Sequence, residues 1–390
     1  MKKLRFGVVG CGNRSGIMDY LIEIPEVEIV ALTDVNAQAM QDTAERLRNS
    51  FGVAAVCYES YEALLEQSGI DAVLIMSPDF CHEFQAVEAM KRNIAVYLEK
   101  PLAISTASCD NILAVAKKYK AKIMIGHNMR YMWFTNKMKE IIDAGYIGEV
   151  KGIWVRHFVS YGDGYFRKWY AERKNVNGLL LQKGAHDLDI IHFLAGAYAK
   201  RVSAFGNLSL YDKLPRREPG TPPPKFKDRS RNWPHQKMGQ FNPIIDIEDQ
   251  SMMMMQLANG VQASYMQCHY TPDTYRNYTI IGSHGRLENY GDFGADARIE
   301  VWTERTDTFK INGDMTFRQP RLEENGHGGA DPKIIRGFVD YVRGLAEPLV
   351  RPQDARYAVA CGDAATYSLR NGNVPMEIKP LPDDLEHYNF

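Results

Sequence analysis

Three polar side chains near the middle of the chain have a spacing suited to proton transfer. Gln182, His186 and Asp189 occupy positions i, i+4 and i+7, which lie on one face of a helix. Histidine has an unperturbed pKa of about 6.5, so His186 can exchange a proton at physiological pH. Asp189 can orient the imidazole ring or accept a hydrogen bond from a substrate hydroxyl. The alternative is a structural role, which is common for a single histidine at the start of a helix.

A glycine-rich turn near the start of the chain has the pattern of a dinucleotide site. The segment Gly10-Cys11-Gly12-Asn13-Arg14-Ser15-Gly16 follows an apolar run and opens a helical pattern, as a dinucleotide fingerprint must. Gly10 permits the tight turn, and Gly12 lets the backbone approach a pyrophosphate at the helix N-terminus. Asn13 and Arg14 belong to the same turn, and the Arg14 guanidinium can reach a phosphate.

An acidic residue after the second apolar run indicates which nicotinamide cofactor this turn would bind. Asp34 stands 22 residues after Gly12, where a carboxylate accepts hydrogen bonds from the adenosine ribose. The same carboxylate would repel a 2′-phosphate, and its neighbours Thr33, Val35 and Asn36 offer no cation to offset that repulsion. The sequence therefore predicts NAD as the cofactor and disfavours NADP.

The elements that carry these residues alternate between short apolar runs and helical patterns over the first 126 residues. Alternation of this kind predicts an α/β fold with a doubly wound parallel sheet, a Rossmann domain over 1–126. The apolar runs are Leu4–Val9, Glu28–Thr33, Val53–Tyr58, Ala72–Met76, Ala95–Glu99 and Lys122–Gly126. Because ligands bind at the carboxyl ends of such strands, the glycine turn and Asp34 are expected at one edge of the sheet.

The pattern changes after residue 127. Strand-like runs separated by turn signals predict an α+β domain with a large, mainly antiparallel open sheet over 127–390. We expect this domain to bind substrate and to mediate oligomerisation. Residues 211–243 form a Pro-rich basic insert, in which repeated prolines favour a loop or an arm.

The composition disfavours several classes of function. The chain has 390 residues, with 47 Lys and Arg against 48 Asp and Glu, a formal net charge of −1. This balance gives no electrostatic attraction to nucleic acid or to an anionic membrane. No apolar run approaches the length of a membrane helix, and Leu4–Val9 is too short for a secretory signal. We therefore expect a cytoplasmic protein without nucleic-acid or membrane partners. The scattered cysteines and isolated Cys-His pairs predict no metal site.

Several motifs together resemble the glucose–fructose oxidoreductase, inositol dehydrogenase and rhizopine catabolism (Gfo/Idh/MocA) family. They are the N-terminal fingerprint, Ser77-Pro78-Asp79 with His82, Glu99-Lys100-Pro101, His127-Asn128-Met129-Arg130-Tyr131, the segment from Gly178 to Asp189, and the late strand pair from Tyr278 to Glu288. The resemblance extends over nearly the whole chain. It implies an N-terminal Rossmann domain, a C-terminal sheet that commonly forms a dimer or tetramer interface, and NAD(P)-dependent oxidation or reduction at a carbon of a sugar, polyol or related compound.

The resemblance also implies roles for individual residues. Lys100 is expected to contact the reacting oxygen and, with His186, to perform the acid–base chemistry. The expected cofactor residues are Gly10, Gly12, Asn13, Arg14, Asp34, Ser77, Pro78, His82, Glu99, Lys100 and Asn128. The expected substrate residues are Arg130, Tyr131, Arg156, Trp169, Gln182, Lys183 and Asp189. Trp169 lies in a segment rich in aromatic residues, and sugars stack on aromatic rings.

This chain departs from the commoner family pattern at one position. Many members carry Asp where this chain has Gln182, and glutamine can hydrogen-bond a sugar but cannot titrate. Acid–base duty would then fall on Lys100 or His186, with Lys183 as a second cation. We expect an NAD-dependent dehydrogenase of a cyclic sugar, glycoside or polyol that forms a homodimer or homotetramer. The alternatives are a glycoside hydrolase that retains NAD and works by transient oxidation and elimination, and a non-catalytic regulator that binds NAD and sugar.

Overall fold

The computed structural model describes residues 2–12, 14–223, 233–234, 238–320 and 326–390. Asn13 and part of the Pro-rich insert lie outside the described residues. The chain forms two compact units, one of residues 1–132, 323–356 and 380–390, the other of residues 133–322 and 357–379. The chain leaves the first unit after residue 132 and returns to it near its end. Phe338 in the returning segment packs in the first unit, where its ring lies 6.0 Å from that of Phe6 and 5.6 Å from that of Tyr97.

The strands and helices are numbered in chain order. The strands are β1 Leu4–Val9, β2 Val27–Thr33, β3 Val56–Cys57, β4 Ala72–Ile75, β5 Ala95–Leu98, β6 Ile123–Ile125, β7 Val150–Phe158, β8 Ala199–Asn207, β9 Gln250–Leu257, β10 Gln262–Cys268, β11 Tyr275–Gly282, β12 Arg286–Tyr290, β13 Arg298–Trp302, β14 Met315–Arg318 and β15 Met376–Glu377. The helices are α1 Ile17–Ile22, α2 Ala37–Phe51, α3 Tyr61–Gln67, α4 His82–Lys91, α5 Thr106–Tyr119, α6 Trp133–Asp143, α7 Asp163–Phe166, α8 Arg173–Val176, α9 Leu179–Gln182, α10 Ala185–Ala195, α11 Gly326–Val342, α12 Pro352–Arg370 and α13 Asp383–Glu386. Short 3₁₀ turns lie at Asp79–Cys81, Asn128–Tyr131, Trp169–Ala171 and Tyr211–Lys213. Across the described ranges, no helix has both the length and the apolar character needed to cross a membrane.

The first unit contains the predicted parallel sheet, with its six strands in the order β3-β2-β1-β4-β5-β6. All four residues of β4 and of β5 are buried, as expected for strands covered by helices on both faces. Strand order reverses between β1 and β4, and the carboxyl ends of all six strands meet at one edge. Ligands of doubly wound sheets bind at that edge.

The second unit contains a nine-stranded sheet in the order β14-β13-β12-β11-β7-β10-β9-β8-β15. Its pairs are antiparallel except for β7 with β10, which confirms the mainly antiparallel sheet. Side chains alternate between its two faces: Met253 and Met255 of β9 are buried, whereas Met252 and Met254 are exposed. The exposed face therefore carries large apolar side chains. They are Trp154, Phe205, Met252, Met254 and Met266.

The described residues of the Pro-rich insert pack against the segment before α9 and build a small core of their own. The rings of Tyr211 and Phe166 stack with centroids 4.1 Å apart, and Phe241 lies 5.2 Å from Tyr211. The buried carboxylate of Asp249 accepts hydrogen bonds from the backbone N–H groups of residues 209–211 and holds the start of the insert. Arg216 and Phe241 form an isolated parallel bridge. These contacts attach the described part of the insert to the second unit.

Substitution of Phe241 tests whether the insert is attached to the second unit in this way. The Phe241 side chain is fully buried and lies 4.3 Å from the Arg167 guanidinium. Phe241→Ala leaves a cavity, so we expect a loss of about 3–5 kcal/mol in the free energy of unfolding of the second unit, measured by urea denaturation. Phe309→Ala is the matched control, because Phe309 is 84% exposed and should change stability by less than about 0.5 kcal/mol. Equal stability of the two variants would show that the insert does not pack as described.

Candidate active site

The glycine turn after β1 has the backbone that a dinucleotide requires. Gly10 has a φ of +94°, and a Cβ there would lie 2.7 Å from the Met76 carbonyl oxygen and 3.0 Å from the Ser77 nitrogen. Its N–H donates to the Thr33 carbonyl at 3.0 Å, which joins the turn to the end of β2. At Gly12, by contrast, a Cβ would have no neighbour within 4 Å, so open space lies beside the backbone. Glycine is thus needed at position 10 for the turn, whereas Gly12 leaves room for a phosphate group to approach.

Two backbone N–H groups, one in the glycine turn and one just after Asp34, hold the Asp34 carboxylate at the end of β2. One carboxylate oxygen accepts from the Cys11 N–H at 2.6 Å and the other from the Asn36 N–H at 2.7 Å. Each oxygen keeps a further lone pair, so the carboxylate can still accept hydrogen bonds from ribose hydroxyls. The side chain of Asn36 caps α2 by accepting from the Ala39 N–H at 3.1 Å. These residues fit the adenosine ribose of a dinucleotide, as the sequence predicts.

Arg14, which the sequence offers as a phosphate contact, has two carboxylate partners in the first unit. Its Nε lies 2.8 Å from Glu99 Oε1, and its Nη1 lies 3.1 Å from Asp331 Oδ2. Burial alone would raise the pKa of Asp331, but the hydrogen bond from His327 and the charge of Arg14 hold it well below its usual range. Asn128 donates to the same carboxylate at 3.2 Å. Asp331 therefore brings together two predicted cofactor residues, Arg14 and Asn128.

Sequence reasoning missed Asp331 because its partner Arg14 lies 317 positions away in the chain. The local signal is confined to a glycine-rich stretch before Pro332, in which Gly328 and Gly329 have positive φ. This stretch opens α11, which packs against α1 and the 3₁₀ turn Asn128–Tyr131. Asp331 lies beside Arg14 because the chain returns to the first unit near its end.

His82 connects two loops at the same edge of the sheet. Its Nδ1 lies 2.8 Å from the Pro101 carbonyl oxygen and its Nε2 lies 3.2 Å from the Ser77 carbonyl oxygen. Burial lowers the pKa of His82, so the ring is neutral and carries one N–H, which we assign to Nδ1 on the shorter contact. Ser77 donates its hydroxyl to Gln85 at 2.5 Å, and Pro78 leads into the 3₁₀ turn. His82 therefore positions the backbone around Ser77 and Lys100.

Lys100 lies two residues after β5, at the edge that also holds the glycine turn and Asp34. Its side chain is half-buried, its peptide bond to Pro101 is cis, and its N–H lies 3.3 Å from Glu99 Oε2. Glu99 itself is buried and pairs with Arg14. The sheet thus brings Lys100 to the edge where a nicotinamide dinucleotide would bind.

Arg130 and Tyr131, which are predicted substrate residues, are buried in the first unit. Arg130 Nη2 lies 4.0 Å from Asp354 Oδ2. Tyr131 lies against α11, where a Cβ on Gly337 would come within 3.1 Å of its hydroxyl, and burial raises the pKa of Tyr131 to about 12. Their contact with substrate stays a prediction.

In the second unit, the single helix predicted for Gln182, His186 and Asp189 is divided in two. Helix α9 ends at Gln182 and α10 begins at Ala185, and the Gly184 N–H reaches back to the Leu179 carbonyl at 2.9 Å. A Cβ on Gly184 would lie only 2.2 Å from the Leu180 carbonyl oxygen, so this position needs glycine. His186 and Asp189 share α10, whereas Gln182 lies on the preceding turn. Gln182 and Asp189 are buried, and His186 is half-buried.

A buried charged cluster fixes α10 against the sheet. The Asp187 carboxylate accepts from the Tyr278 hydroxyl at 2.6 Å and lies 3.0 Å from Arg276 Nε and 3.4 Å from His157 Nδ1. Burial alone would raise the pKa of Asp187, but Arg276 and His157 hold it well below its usual range. Burial and the charge of Arg276 lower the pKa of His157 to about 3, so the ring is neutral. Asp187 is therefore ionised, and its charge is balanced by the Arg276 guanidinium, whereas His157 is neutral.

Sequence reasoning did not single out Asp187, Arg276 or Tyr278. The available signal was a period of two in β11, in which Arg276, Tyr278 and Ile280 share one buried face, although Asn277 between them is buried as well. A buried arginine within such a pattern indicates a buried carboxylate partner. The partner stands 89 positions earlier in the chain, and only the fold identifies it.

Arg156 and Trp169 are not brought to this cluster. Arg156 lies on β7 next to His157, and successive side chains of a strand face opposite sides of the sheet. Its guanidinium, 47% exposed, donates to Asn277 at 2.7 Å on the face opposite to Asp187 and α10. The structure thus separates Arg156 from the other predicted substrate residues of this unit. The Trp169 ring stacks on Tyr170 at 3.7 Å and packs with the core of the insert.

Lys183 is 8% exposed and donates to the Tyr161 hydroxyl at 3.0 Å. Tyr161 follows β7 and begins the aromatic-rich segment that contains Trp169. Lys183 thus joins the end of α9 to the segment after β7.

Two protein-family models match the chain. One, described as the oxidoreductase family NAD-binding Rossmann fold, matches residues 4–127, and the other, the C-terminal alpha/beta domain of the same family, matches residues 139–378. Together they cover most of the 390 residues.

Individual relatives are distant. The chain is 27% identical over 375 residues to a myo-inositol 2-dehydrogenase of Thermotoga maritima, covering 94% of this chain and 96% of that one. It is 28% identical over 207 residues to an inositol 2-dehydrogenase of Salmonella typhimurium, where the match spans 52% of this chain and 57% of that enzyme. The WlbA dehydrogenase of Bordetella pertussis, solved with NADH and UDP-GlcNAcA, has a similar fold, with a TM-score of 0.75 and 19% identity over 97% of this chain and 99% of that one. On the two family models, which match both of its parts, the chain belongs to the Gfo/Idh/MocA oxidoreductase family and carries its NAD-binding Rossmann domain.

Proposed function

We propose that this protein is an NAD-dependent oxidoreductase that transfers hydride between the nicotinamide and a hydroxyl-bearing carbon of a cyclic sugar, glycoside or polyol. The observation that carries the proposal is that one edge of the six-stranded sheet holds the dinucleotide turn, Asp34 and Lys100. A lysine at that edge is placed where the reacting end of a bound dinucleotide and its substrate would meet.

Proton transfer is the part of this reaction that the chain itself must supply. A carbinol carbon gives up hydride only as its hydroxyl loses a proton, and the reverse reaction returns that proton. NAD, when bound, supplies the hydride acceptor. Lys100 and His186 are the residues we propose to hold or accept the proton at the substrate oxygen. An amine with an unperturbed pKa of about 10.4 needs a lowered pKa to act as a base, and the oxidised nicotinamide would lower it by charge.

The substrate class rests on the relatives and on the polar residues of the second unit. The related proteins named above are dehydrogenases of inositol or a dehydrogenase bound to a nucleotide sugar, and these compounds are polyhydroxylated rings. The Gln182 amide can donate hydrogen bonds to the hydroxyl groups of such rings or accept them, and the Asp189 carboxylate can accept them. We propose that they bind substrate hydroxyls.

A second copy of the chain is the partner that the nine-stranded sheet would accommodate. Its exposed face carries Trp154, Phe205, Met252, Met254 and Met266, and contiguous apolar surface of this kind marks interaction sites. Other members of the family commonly pair through this sheet. We propose a homodimer or homotetramer formed through the exposed face.

Substitution of the two acid–base residues tests the assigned activity. Lys100→Met and His186→Gln should each lower kcat for NAD-dependent oxidation of a responsive sugar or polyol by about 10²–10⁴-fold, because proton transfer is lost. NADH absorbance measures the rate, and Lys91→Met, at an exposed lysine of α4, is the control. Wild-type rates in both variants would overturn the assignment. Sugar release without net NADH would favour the hydrolase alternative.

Asp34→Asn tests the proposed preference for NAD. The change removes the charge that repels a 2′-phosphate and weakens a charged hydrogen bond worth about 1.5–3 kcal/mol to the ribose. We expect the ratio of kcat/KM for NAD to that for NADP to fall by about 10–100-fold, measured with both cofactors under the same conditions. An unchanged ratio would show that Asp34 does not select the cofactor.

Charge on the exposed sheet face tests the proposed assembly. Trp154→Glu together with Met254→Glu should convert the oligomer to monomers. Each subunit would then bury two unpaired carboxylates in the interface, which is unfavourable. Light scattering coupled to size-exclusion chromatography measures the mass. Phe309→Glu is the control, since Phe309 is exposed outside this face. A wild-type protein that is already monomeric would refute this part of the proposal.

A further inference from the structure

His327 lies beside the dinucleotide turn, on a stretch of backbone that favours glycine. Residues 326–329 all have a positive φ, and three of them are glycines, whereas His327 holds a φ of +48° and a ψ of +50° with a full side chain. A side chain is strained in this left-handed region. The stretch also fits closely against α1, because a Cβ on Gly326 would lie 2.7 Å from the Tyr20 hydroxyl. Strain kept at such a position points to a function for the imidazole.

The imidazole contacts residues that the sequence assigns to the cofactor site. Its Nδ1 lies 2.8 Å from Asp331 Oδ2 and 3.2 Å from Arg14 Nη1. Asp331 also accepts a hydrogen bond from Asn128 at 3.2 Å. The His327 side chain is 50% exposed, whereas Asp331 is buried, so the ring lies at the surface of this cluster. All four residues belong to the first unit, which also holds the glycine turn and Asp34.

Arg14 is the cation of the glycine turn, but it offers a diphosphate little net positive charge. Its guanidinium lies 2.8 Å from the Glu99 carboxylate and 3.1 Å from that of Asp331, and both carboxylates are buried. These three groups together carry an excess of one negative charge. The diphosphate of a dinucleotide bound at the turn adds two more, and like charges at short range in a partly buried site repel each other.

His327 is the group in contact with Arg14 and Asp331 that can change its charge near neutral pH. Histidine has an unperturbed pKa of about 6.5, and an imidazolium would make the cluster neutral. Asp331 stays ionised despite its burial, because the hydrogen bond from His327 and the charge of Arg14 hold its pKa well below its usual range. Burial and the charge of Asp331 raise the pKa of Tyr20, so this phenol stays neutral. Among the described residues, the charged and titratable groups around the ring and its direct neighbours are Arg14 in the glycine turn, Glu99 after β5, Asp19, Tyr20 and Glu23 on α1, and Asp331 on α11.

We propose that His327 is a further dinucleotide-binding residue, which takes up a proton from solution when the diphosphate of the cofactor binds at the glycine turn. This inference rests on the proposed function, because its ligand is the nicotinamide dinucleotide. The imidazolium pairs with Asp331 and balances part of the added negative charge. Binding therefore favours the protonated ring, so the affinity for the dinucleotide is highest at low pH and falls as pH rises through the range in which a histidine titrates.

Isothermal titration calorimetry with NAD tests this linkage without turnover. Titrations at pH 7.5 in HEPES and in Tris, whose ionisation enthalpies differ, give the number of protons taken up on binding. We expect net proton uptake by the wild-type protein. The affinity for NAD should fall by about 10-fold from pH 6 to pH 9, which corresponds to a shift of about one pKa unit caused by an added neighbouring negative charge.

His327→Asn and His327→Gly separate the titrating ring from the backbone that holds it. Asparagine and glycine both tolerate a positive φ, so both variants should fold, and circular dichroism melting establishes this. Each should lose the proton uptake and bind NAD about 10-fold more weakly than the wild-type protein at pH 6. His284→Asn, at an exposed histidine of the second unit, is the control and should keep the wild-type uptake. Wild-type uptake in His327→Asn would overturn the inference.

ADP-ribose identifies the part of the cofactor that is responsible. It carries the diphosphate but lacks the nicotinamide, so it should give the same proton uptake as NAD. Uptake with NAD but not with ADP-ribose would assign the linkage to the nicotinamide end and contradict the role of His327, as would the absence of binding of either ligand.

The same titrations distinguish this inference from the proposed function. If NAD binds but no sugar or polyol is oxidised, the oxidoreductase function fails, and the calorimetry still decides the role of His327. If sugars are oxidised but no proton uptake depends on His327, the inference fails while the oxidoreductase function stands.

Discussion

The ionised carboxylate of Asp187 is the buried charge on which the arrangement of the second unit depends. It is fully buried and is stabilised by Arg276, by the Tyr278 hydroxyl and by His157. Removing one partner from such a group costs about 3–5 kcal/mol, because the remaining charge stays buried without compensation. The carboxylate therefore fixes α10 on the sheet and sets the orientation of the helix that carries His186.

Arg276 and Lys183 are buried cations of the second unit, and they have different partners. Asp187 and Asp292 pair with Arg276, and the Lys183 ammonium donates to the Tyr161 hydroxyl. A structural ion pair and a lysine–tyrosine hydrogen bond thus both lie in the second unit. The first unit uses a comparable arrangement, in which Asp331 joins Arg14 and Asn128 near the end of β5. In both units, a buried carboxylate positions groups from distant parts of the chain.

Much of the first unit could be predicted from residue order, because its parallel strands are short, largely apolar runs and each residue predicted to bind a ligand follows such a run. Gly10, Asp34, Ser77 and Lys100 come after β1, β2, β4 and β5, and the carboxyl ends of parallel strands meet at one edge. Residue order could not predict that Arg14 would pair with Glu99 and Asp331, because local patterns carry no information about partners hundreds of positions away. Nor could it show that α11 packs with the first unit.

By itself, the sequence determined the alternation of strands and helices, the glycine needed at position 10 and the absence of a titratable group at position 182. These properties depend on residue type and local spacing, and they do not depend on tertiary contacts. Only the tertiary structure decided that Arg156 faces away from α10, that the predicted helix is divided between α9 and α10, and that Lys183 is buried against Tyr161. Those outcomes depend on which surfaces pack together and on how each buried charge is compensated, and both are properties of the folded chain.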